Sequence, residues 1–252
     1  MRAALIADVL FVVSCGTAPT APTAPSAATP GASPSVCSGA VVTGDPNVSS
    51  PPRCLRFSGY EWVVKSSPQF GPGPNVWSDQ PASVWVDAQG LHLTIQRIGN
   101  TWTASEVILN RSLGHGTYSF RTSVRLDQLD RNVVLGLFTY NYADAAFAHR
   151  EIDLEFSPSL GVTPGASGHF TVQPFQGNTH DFVSDGSTAH TFDWRPDRVS
   201  FQSGGEIWTS PGRGVPGGGG ENVRMNLWLF GGQPPSNGLP VELVITSFEW
   251  RP

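Results

Sequence analysis

The segment His149-Arg150-Glu151-Ile152-Asp153-Leu154-Glu155-Phe156 decides the fold, because acidic and apolar residues alternate strictly along it. A β-strand points successive side chains to opposite faces, so the three carboxylates are predicted to share one face. The apolar residues between them then face a core. Neighbouring like charges destabilise a strand and raise the pKa of at least one member, an arrangement that suits acid/base chemistry.

Outward from this segment, the chain has the composition of an all-β protein. It contains 252 residues, with 28 Gly, 22 Pro and 39% hydrophobic residues, which is enough for a sizeable core. A hairpin is predicted from strands 83–87 and 91–95 around the turn Ala88-Gln89-Gly90. The other predicted strands are 117–126, 132–142, 150–156, 168–175, 190–195, 198–202, 223–230 and 241–250. This pattern predicts a sandwich of antiparallel sheets.

Two of these strands place aromatic and polar side chains on one face. They are Phe138, Tyr140 and Tyr142 on the first strand, and Arg224, Asn226, Trp228 and Phe230 on the second. Such a mixture suits a sugar, whose C–H faces stack on aromatic rings and whose hydroxyls need planar polar partners. The alternative is a set of ordinary half-exposed aromatics on a sandwich surface.

The charge distribution limits the class of partner. The chain carries 15 basic and 20 acidic residues, a net charge of −5, with no basic stripe. This argues against a nucleic-acid partner and favours a neutral or weakly charged ligand. Lys65 is the only lysine, a compositional bias to which we attach little functional weight. We expect the protein to act as a monomer.

The amino terminus predicts export. Residues 1–15 join Met1-Arg2 to a short apolar run that ends in Val12-Val13-Ser14-Cys15. These four residues resemble a bacterial lipobox, in which Cys15 would be the lipidated residue. Asp8 interrupts the run, so an ordinary cleaved secretory signal is the alternative. The run is far shorter than the ~20 residues of a spanning helix, so membrane attachment is expected only through the lipid. Residues 16–36 are predicted to form a Pro-, Thr- and Ala-rich linker, and the expected location is extracellular or at the cell surface.

The remaining cysteines are Cys37 and Cys54. In an exported protein a disulfide between them is the default expectation, with two free thiols as the alternative. It would close the Pro- and Ser-rich loop 37–54 onto the edge of the domain, which we place at residues 37–252.

The acidic strand allows several chemistries. Same-face positions on a strand are ~6.7 Å apart, so the Cα atoms of Glu151 and Glu155 are about 13 Å apart with Asp153 between them. A retaining glycosidase needs carboxyl groups ~5–5.5 Å apart, a gap that a concave sheet closes, and the inverting range of ~6.5–9.5 Å is also compatible. A solvated acidic face is the plain alternative. Three carboxylates in line on one strand do not wrap a cation, so no metal site and no required cofactor are expected.

Five segments, one of them the acidic strand itself, follow the same order as in a known family. They are Ser105-Glu106 with Gly114-His115-Gly116-Thr117-Tyr118, then Leu137-Phe138-Thr139-Tyr140, Glu151-Ile152-Asp153-Leu154-Glu155-Phe156, His190-Thr191-Phe192-Asp193-Trp194 and Met225-Asn226-Leu227-Trp228. Together they resemble glycoside hydrolase family 16, in the lichenase and xyloglucan endotransglycosylase branch that lacks a β-bulge in the catalytic strand. The likeness covers residues 105–250.

This resemblance implies a concanavalin-type β-jelly-roll with a concave substrate cleft, and a retaining mechanism. Glu151 would be the nucleophile, Asp153 the assisting carboxylate and Glu155 the general acid/base. The residues implied to line the sugar subsites are Glu106, Tyr140, Asn226 and Trp228.

The chain departs from this family at two positions. His149 stands where lichenases carry Trp, and it either contacts a sugar or faces solvent. Gln173 stands where relatives place an Asn, and it is expected to act as a hydrogen-bonding substitute. Relatives sometimes carry a structural calcium, which this sequence does not indicate.

The function expected from the sequence is therefore an endo-acting, retaining hydrolase of a β-linked polysaccharide such as a β-glucan. A transglycosylase is the close alternative, since it differs only in whether water or a sugar intercepts the covalent intermediate. The alternative of another class is a non-catalytic carbohydrate-binding protein on the same fold.

Overall fold

A computed structural model describes residues 35–174, 178–212 and 214–252, and these form a jelly-roll sandwich of two antiparallel β-sheets. The strands are β1 Ser35–Val36, β2 Arg53–Phe57, β3 Tyr60–Val64, β4 Ser67–Phe70, β5 Asn75–Trp77, β6 Val84–Val86, β7 Leu91–Ile98, β8 Thr101–Thr103, β9 Ser105–Leu109, β10 Gly116–Thr122, β11 Val133–Tyr140, β12 Ile152–Phe156, β13 Gly168–Val172, β14 Thr179–Phe182, β15 Ala189–Arg195, β16 Arg198–Ser203, β17 Glu206–Thr209, β18 Asn222–Leu229 and β19 Val241–Arg251. Short 3-10 segments span Ala145–Arg150 and Phe230–Gly232.

The first sheet, called sheet A, has the order β1-β2-β3-β9-β18-β11-β12-β13-β14. The second, sheet B, has the order β17-β16-β15-β10-β19-β7-β6, with β8 paired to β7. Strands β4 and β5 form a separate two-stranded ribbon. Strands that are distant in sequence are thus neighbours in each sheet, which is how β18 comes to lie beside β9 and β11.

The core lies between the two sheets and is built from the apolar members of each alternating strand. On β12 these are Ile152, Leu154 and Phe156, all without solvent exposure, as the alternation predicted. Sheet B contributes large aromatic rings to the same core, including Phe192 and Trp194 of β15. Burial of this much apolar area fixes the register of β12, since a shift by one residue would send its carboxylates into the core.

The predicted strands are confirmed in position. The 83–87 and 91–95 hairpin appears as β6 and β7, and every other predicted segment overlaps one observed strand. Strands β1–β5, β8, β9, β14 and β17 were not among the predicted segments. Of these, β14 and β17 lie at sheet edges and include polar or exposed positions, so they lack the apolar alternation that marks the predicted strands.

The segment after residue 36 covers the outer face of sheet A, the face that points away from the core. The predicted disulfide between Cys37 and Cys54 is present, and both residues pack against Val63 and Ile108. The last two residues of the predicted linker form strand β1, at the edge of sheet A. Residues 1–34, including the predicted signal and Cys15, lie outside the described residues. Within the described part of the chain, no helix is long and apolar enough to cross a bilayer.

Candidate active site

The three carboxylates of the acidic segment line one cavity of about 280 Å³ on the outer face of sheet A. Asp153 and Glu155 lie on β12, and Glu151 immediately precedes this strand. The prediction that the three share a face is confirmed. The neighbouring strands β11 and β13 hold β12 in place by antiparallel pairing along its whole length.

One row of paired positions across sheet A joins Glu155 to Glu106. From β13 to β9 the paired positions in this row are His169, Glu155, Gly136, Asn226 and Glu106. A Cβ atom at Gly136 would come within 2.5 Å of the side-chain oxygen of Asn226. Because glycine occupies this position, there is room over β11 for the Asn226 side chain, between Glu155 on β12 and Glu106 on β9.

The electrostatics of the three carboxylates set them apart from ordinary acids. Burial raises the pKa of Glu151 to about 7, against the lowering effect of the Arg224 guanidinium. Burial and the Glu151 charge raise the pKa of Glu155 to about 7. The pKa of Asp153 is raised well above its usual value by burial and by the charges of Glu151 and Glu155. Near neutral pH the group therefore holds protons that free carboxyls would have lost.

Asp153 links the group internally. Its carboxyl is hydrogen-bonded to that of Glu151, and the bond lowers the pKa of Glu151 while it raises that of Asp153. Asp153 is thus the protonated partner, which donates to an ionised Glu151. The Gln173 amide donates to Oδ2 of Asp153 at 3.4 Å. With both pKa values near 7, one glutamate can be ionised while the other keeps its proton, and a double-displacement mechanism needs such a pair of nucleophile and acid.

Glu106 lines the cavity, as expected, and it is held there by two buried cations. It is fully buried, and one carboxylate oxygen lies 3.0 Å from Nζ of Lys65 while the other lies 3.0 Å from Nη1 of Arg224. The same Arg224 nitrogen lies 2.6 Å from Oδ2 of Asp45. Two buried cations and two buried carboxylates thus compensate one another. Any one of these charges buried without a partner would strongly destabilise the fold.

Asp45 and Lys65 are site residues that the sequence did not reveal. Burial alone would raise the pKa of Asp45, but Arg224 holds this pKa below its usual value. Lys65 also donates to the carbonyl of Gly71 and lies 4.2 Å from the Trp77 ring centroid. The isolated lysine of the chain, to which we attached little weight, is thus part of the cavity wall. The Asp45–Arg224 pair spans 179 positions, so no local signal could have indicated it.

An aromatic wall flanks the carboxylates, as the parity of β11 predicted. Phe138, Tyr140 and Tyr142 all line the cavity. The Arg224 guanidinium lies 4.9 Å from the Tyr140 ring centroid. Burial, together with the Glu151 charge, raises the pKa of Tyr140 to about 12, so its hydroxyl stays protonated and can donate to a ligand.

His149 packs against this aromatic wall. Its ring stacks on Tyr140 with centroids 4.6 Å apart and an interplanar angle of 11°, and its Nδ1 lies 3.0 Å from the carbonyl oxygen of Asn141. It is not among the residues that line the cavity. Ala148, His149 and Arg150 all have positive φ, a conformation that costs residues with a side chain about 1 kcal/mol or more each. Such strain immediately before Glu151 is typical of a functional site.

Neither Trp228, which was expected to line a sugar subsite, nor Gln173, which was expected to replace an Asn as a hydrogen-bonding residue, lines the cavity. Trp228 shares the outer face with Asn226, but it is buried with Trp77, Ala104 and Val134 in a small satellite core and does not line the cavity. The β4-β5 ribbon that carries Trp77 covers it. Gln173 likewise lies outside the cavity lining and contacts Asp153 instead. Asn226 does line the cavity, and its amide lies 3.4 Å from Oε2 of Glu106.

No metal centre is evident in the described ranges, where no three His, Cys, Asp or Glu side chains are placed to hold an ion. The negative charge of the acid cluster is compensated by Arg224 and Lys65, and it is reduced by the protons that the carboxyls retain.

Comparisons with known proteins place this geometry on a recognised fold. A Bacillus licheniformis β-glucanase superposes with a TM-score of 0.57 and 18% identity, over 75% of this chain and 91% of that one. A prokaryotic β-1,3-1,4-glucanase (lichenase) from a mouse hindgut metagenome gives 0.57 and 18%, over 76% and 92%. A family 16 glycoside hydrolase of the Bacteroides ovatus mixed linkage glucan system, solved with its product, gives 0.58 and 13%, over 75% and 94%.

These likenesses establish the fold as the jelly roll found in glycoside hydrolase family 16. No protein-family model matches the sequence, and no curated protein sequence matches it either.

Proposed function

We propose that this protein is an endo-acting, retaining glycoside hydrolase that cleaves a β-linked polysaccharide of the β-glucan type. One observation carries the proposal: Glu151, Asp153 and Glu155 line a single cavity with the pKa of both glutamates raised to about 7. A surface that only binds glycans has no need for three clustered carboxyls. The β-glucanase names of the structurally similar proteins support the substrate class.

The residues divide the work of a double displacement. Glu151 is kept ionised by the Arg224 charge and by the hydrogen bond that Asp153 donates to it, and its carboxylate attacks the anomeric carbon. Glu155, protonated, transfers its proton to the leaving oxygen and then removes a proton from the incoming water. Tyr140 and Asn226 supply a ring face and an amide for the sugar at the same cavity. Repulsion within an acid cluster of this kind destabilises the folded protein when no ligand is bound. Such clusters are typical of catalytic sites.

The test uses the purified protein with a panel of β-glucans and other β-linked polysaccharides. Wild type should release reducing ends, and product sizing should show cuts within the chain. Glu151→Ala and Glu155→Ala should each abolish release while circular dichroism shows an unchanged fold. Glu249→Gln, which alters an exposed carboxylate on β19, should keep full activity.

The outcomes also separate the alternatives. Transfer of labelled oligosaccharide onto an acceptor, in place of hydrolysis, would identify a transglycosylase. Glycan binding without cleavage anywhere on the panel would refute the enzyme and identify a carbohydrate-binding protein.

We further propose that the protein is exported and held at the cell surface by a lipid on Cys15. The Cys37–Cys54 disulfide supports export, because such bonds persist in oxidising compartments. In a membrane-partition experiment on the full-length chain, Cys15→Ser should move the protein to the soluble fraction. An unchanged partition would contradict the anchor and leave ordinary secretion.

A further inference from the structure

His169 lies directly beside Glu155, the proposed acid/base, and the double displacement described above gives it no role. It pairs with Glu155 across β12 and β13, so the two side chains occupy the same face of sheet A. Directly opposed residues on adjacent strands have Cβ atoms about 5 Å apart. His169 is nonetheless almost fully buried, so its charge state acts on Glu155 with little screening by solvent.

The hydrogen bonds of His169 define its protonation. Nδ1 lies 2.8 Å from a carboxylate oxygen of Asp181, and Nε2 lies 2.9 Å from the carbonyl oxygen of Ser157. A carbonyl oxygen can only accept, so Nε2 must carry a proton. An ionised carboxylate can also only accept, so Nδ1 must carry one as well. With both nitrogens protonated, the ring is an imidazolium cation.

The surroundings of Asp181 keep its carboxylate ionised. Its other carboxylate oxygen accepts the backbone N–H groups of Val162 and Thr163, at 2.9 and 3.0 Å. Against the effect of burial, these bonds and His169 lower the pKa of Asp181 to about 2. Gly161 packs so closely that a Cβ there would come within 2.6 Å of both Asp181 and His169. The loop that follows the catalytic strand therefore folds around this ion pair.

The other groups near Glu155 do not replace this cation. Asp153 on its own strand and Glu151 just before that strand are acidic. Strand β11 presents Gly136, and β9 presents the ion-paired Glu106. Strand β18 presents the neutral Asn226 and also Arg224, a cation that is already paired with Asp45 and Glu106. Strands β13 and β14 present His169 and Asp181. Burial and Glu151 push the pKa of Glu155 upward, and His169 is the group that lowers it.

We propose that His169, held as an imidazolium by Asp181, is a positioning residue that sets the proton affinity of Glu155. The proposal rests on the proposed function, in which Glu155 must be protonated for the first step and ionised for the second. Without the cation, Glu155 would hold its proton too strongly to return as a base.

The experiment compares His169→Gln with wild type and with a matched control, His92→Gln. His92 is an equally buried histidine on sheet B, whose ring nitrogens lie 2.7 and 2.9 Å from the carboxylates of Glu242 and Asp87. Two readouts are used: the pH profile of kcat/KM, and the titration of the Glu155 carboxyl followed by carbon-13 NMR. The titration does not require activity, so it tests the proposal even if no substrate is cleaved.

In His169→Gln the Glu155 titration and the alkaline limb of the rate profile should both move upward by about one pH unit, the effect expected of a nearby buried charge. His92→Gln should leave both unchanged. A Glu155 midpoint that is the same in His169→Gln and wild type would overturn the proposal, even if activity fell. Absence of hydrolysis by wild type, with the midpoint shifted as expected, would refute the proposed function alone.

Asp181→Asn gives an independent test should His169→Gln fail to fold. If Asp181 holds the imidazolium, this variant should raise the Glu155 midpoint, and the double variant should raise it no further than the larger single effect. A midpoint that falls in Asp181→Asn would show that His169 keeps its charge unaided, and it would overturn the role given to Asp181.

Discussion

Replacement of Glu155 by glutamine should stabilise the protein at alkaline pH while it removes activity. The folded state raises the pKa of Glu155 from 4.5 to about 7. Below pH 4.5 the carboxyl is protonated in both the folded and unfolded states, so it contributes no penalty. As pH rises from 4.5 to 7, the unfolded chain ionises first and gains free energy that the folded chain lacks. The penalty is complete above pH 7.

The size of this penalty follows from the shift. At 1.36 kcal/mol per pH unit, the displacement corresponds to at most about 3 kcal/mol. Part of it belongs to the repulsion shared with Glu151, so we expect Glu155→Gln to gain about 1.5–3 kcal/mol at pH 8. For a domain of this size the gain corresponds to a rise in Tm of roughly 5 °C.

Urea unfolding of wild type and Glu155→Gln at pH 4 and pH 8 checks the expectation. The two proteins should be nearly equal in stability at pH 4, and the variant should be more stable at pH 8. Glu249→Gln, the exposed control, should not show this pH-dependent gain. If Glu155→Gln gains nothing at pH 8, or gains equally at both values, then the argument that burial raises the proton affinity of this carboxyl is wrong.

Three further changes test other parts of the structure. Arg224→Met should leave buried carboxylates uncompensated and lower the free energy of unfolding by about 3–5 kcal/mol, and Glu106→Gln in the same chain should restore part of that loss in urea unfolding. Cys54→Ser should cost roughly 3 kcal/mol, and reducing agent should then have no further effect on its stability. Gly136→Ala should displace Asn226, because the new Cβ would lie 2.5 Å from the side-chain oxygen of Asn226. We expect a several-fold rise in KM with an unchanged Tm. An unchanged KM would argue against this contact.

The sequence predicted the parts of the site that depend on strand periodicity. Alternation alone placed Glu151, Asp153 and Glu155 on one face and Ile152 and Leu154 in the core, because a period of two is a local property of the chain. The same rule placed the aromatic side chains of β11 in the cavity.

Contacts between distant segments were beyond such reasoning. Asp45 lies in a loop with no periodicity, and only the folded chain brings it to Arg224. Parity assigned Trp228 to the correct face, but it could not show that Trp77 covers it. The left-handed turn at His149 was equally hidden, because neither it nor its neighbours Ala148 and Arg150 is a glycine, the residue that normally marks such a conformation.

The central claim is that Glu151 forms a covalent bond to the sugar during turnover. The direct measurement is incubation with a 2-deoxy-2-fluoro β-glucoside carrying an activated leaving group, followed by proteolysis and mass spectrometry of the labelled peptide. We expect one sugar per protein, attached to Glu151, and no label in Glu151→Ala. Label on Asp153 or Glu155, or substrate hydrolysis that proceeds with inversion and leaves no label, would contradict the assignment of the catalytic strand.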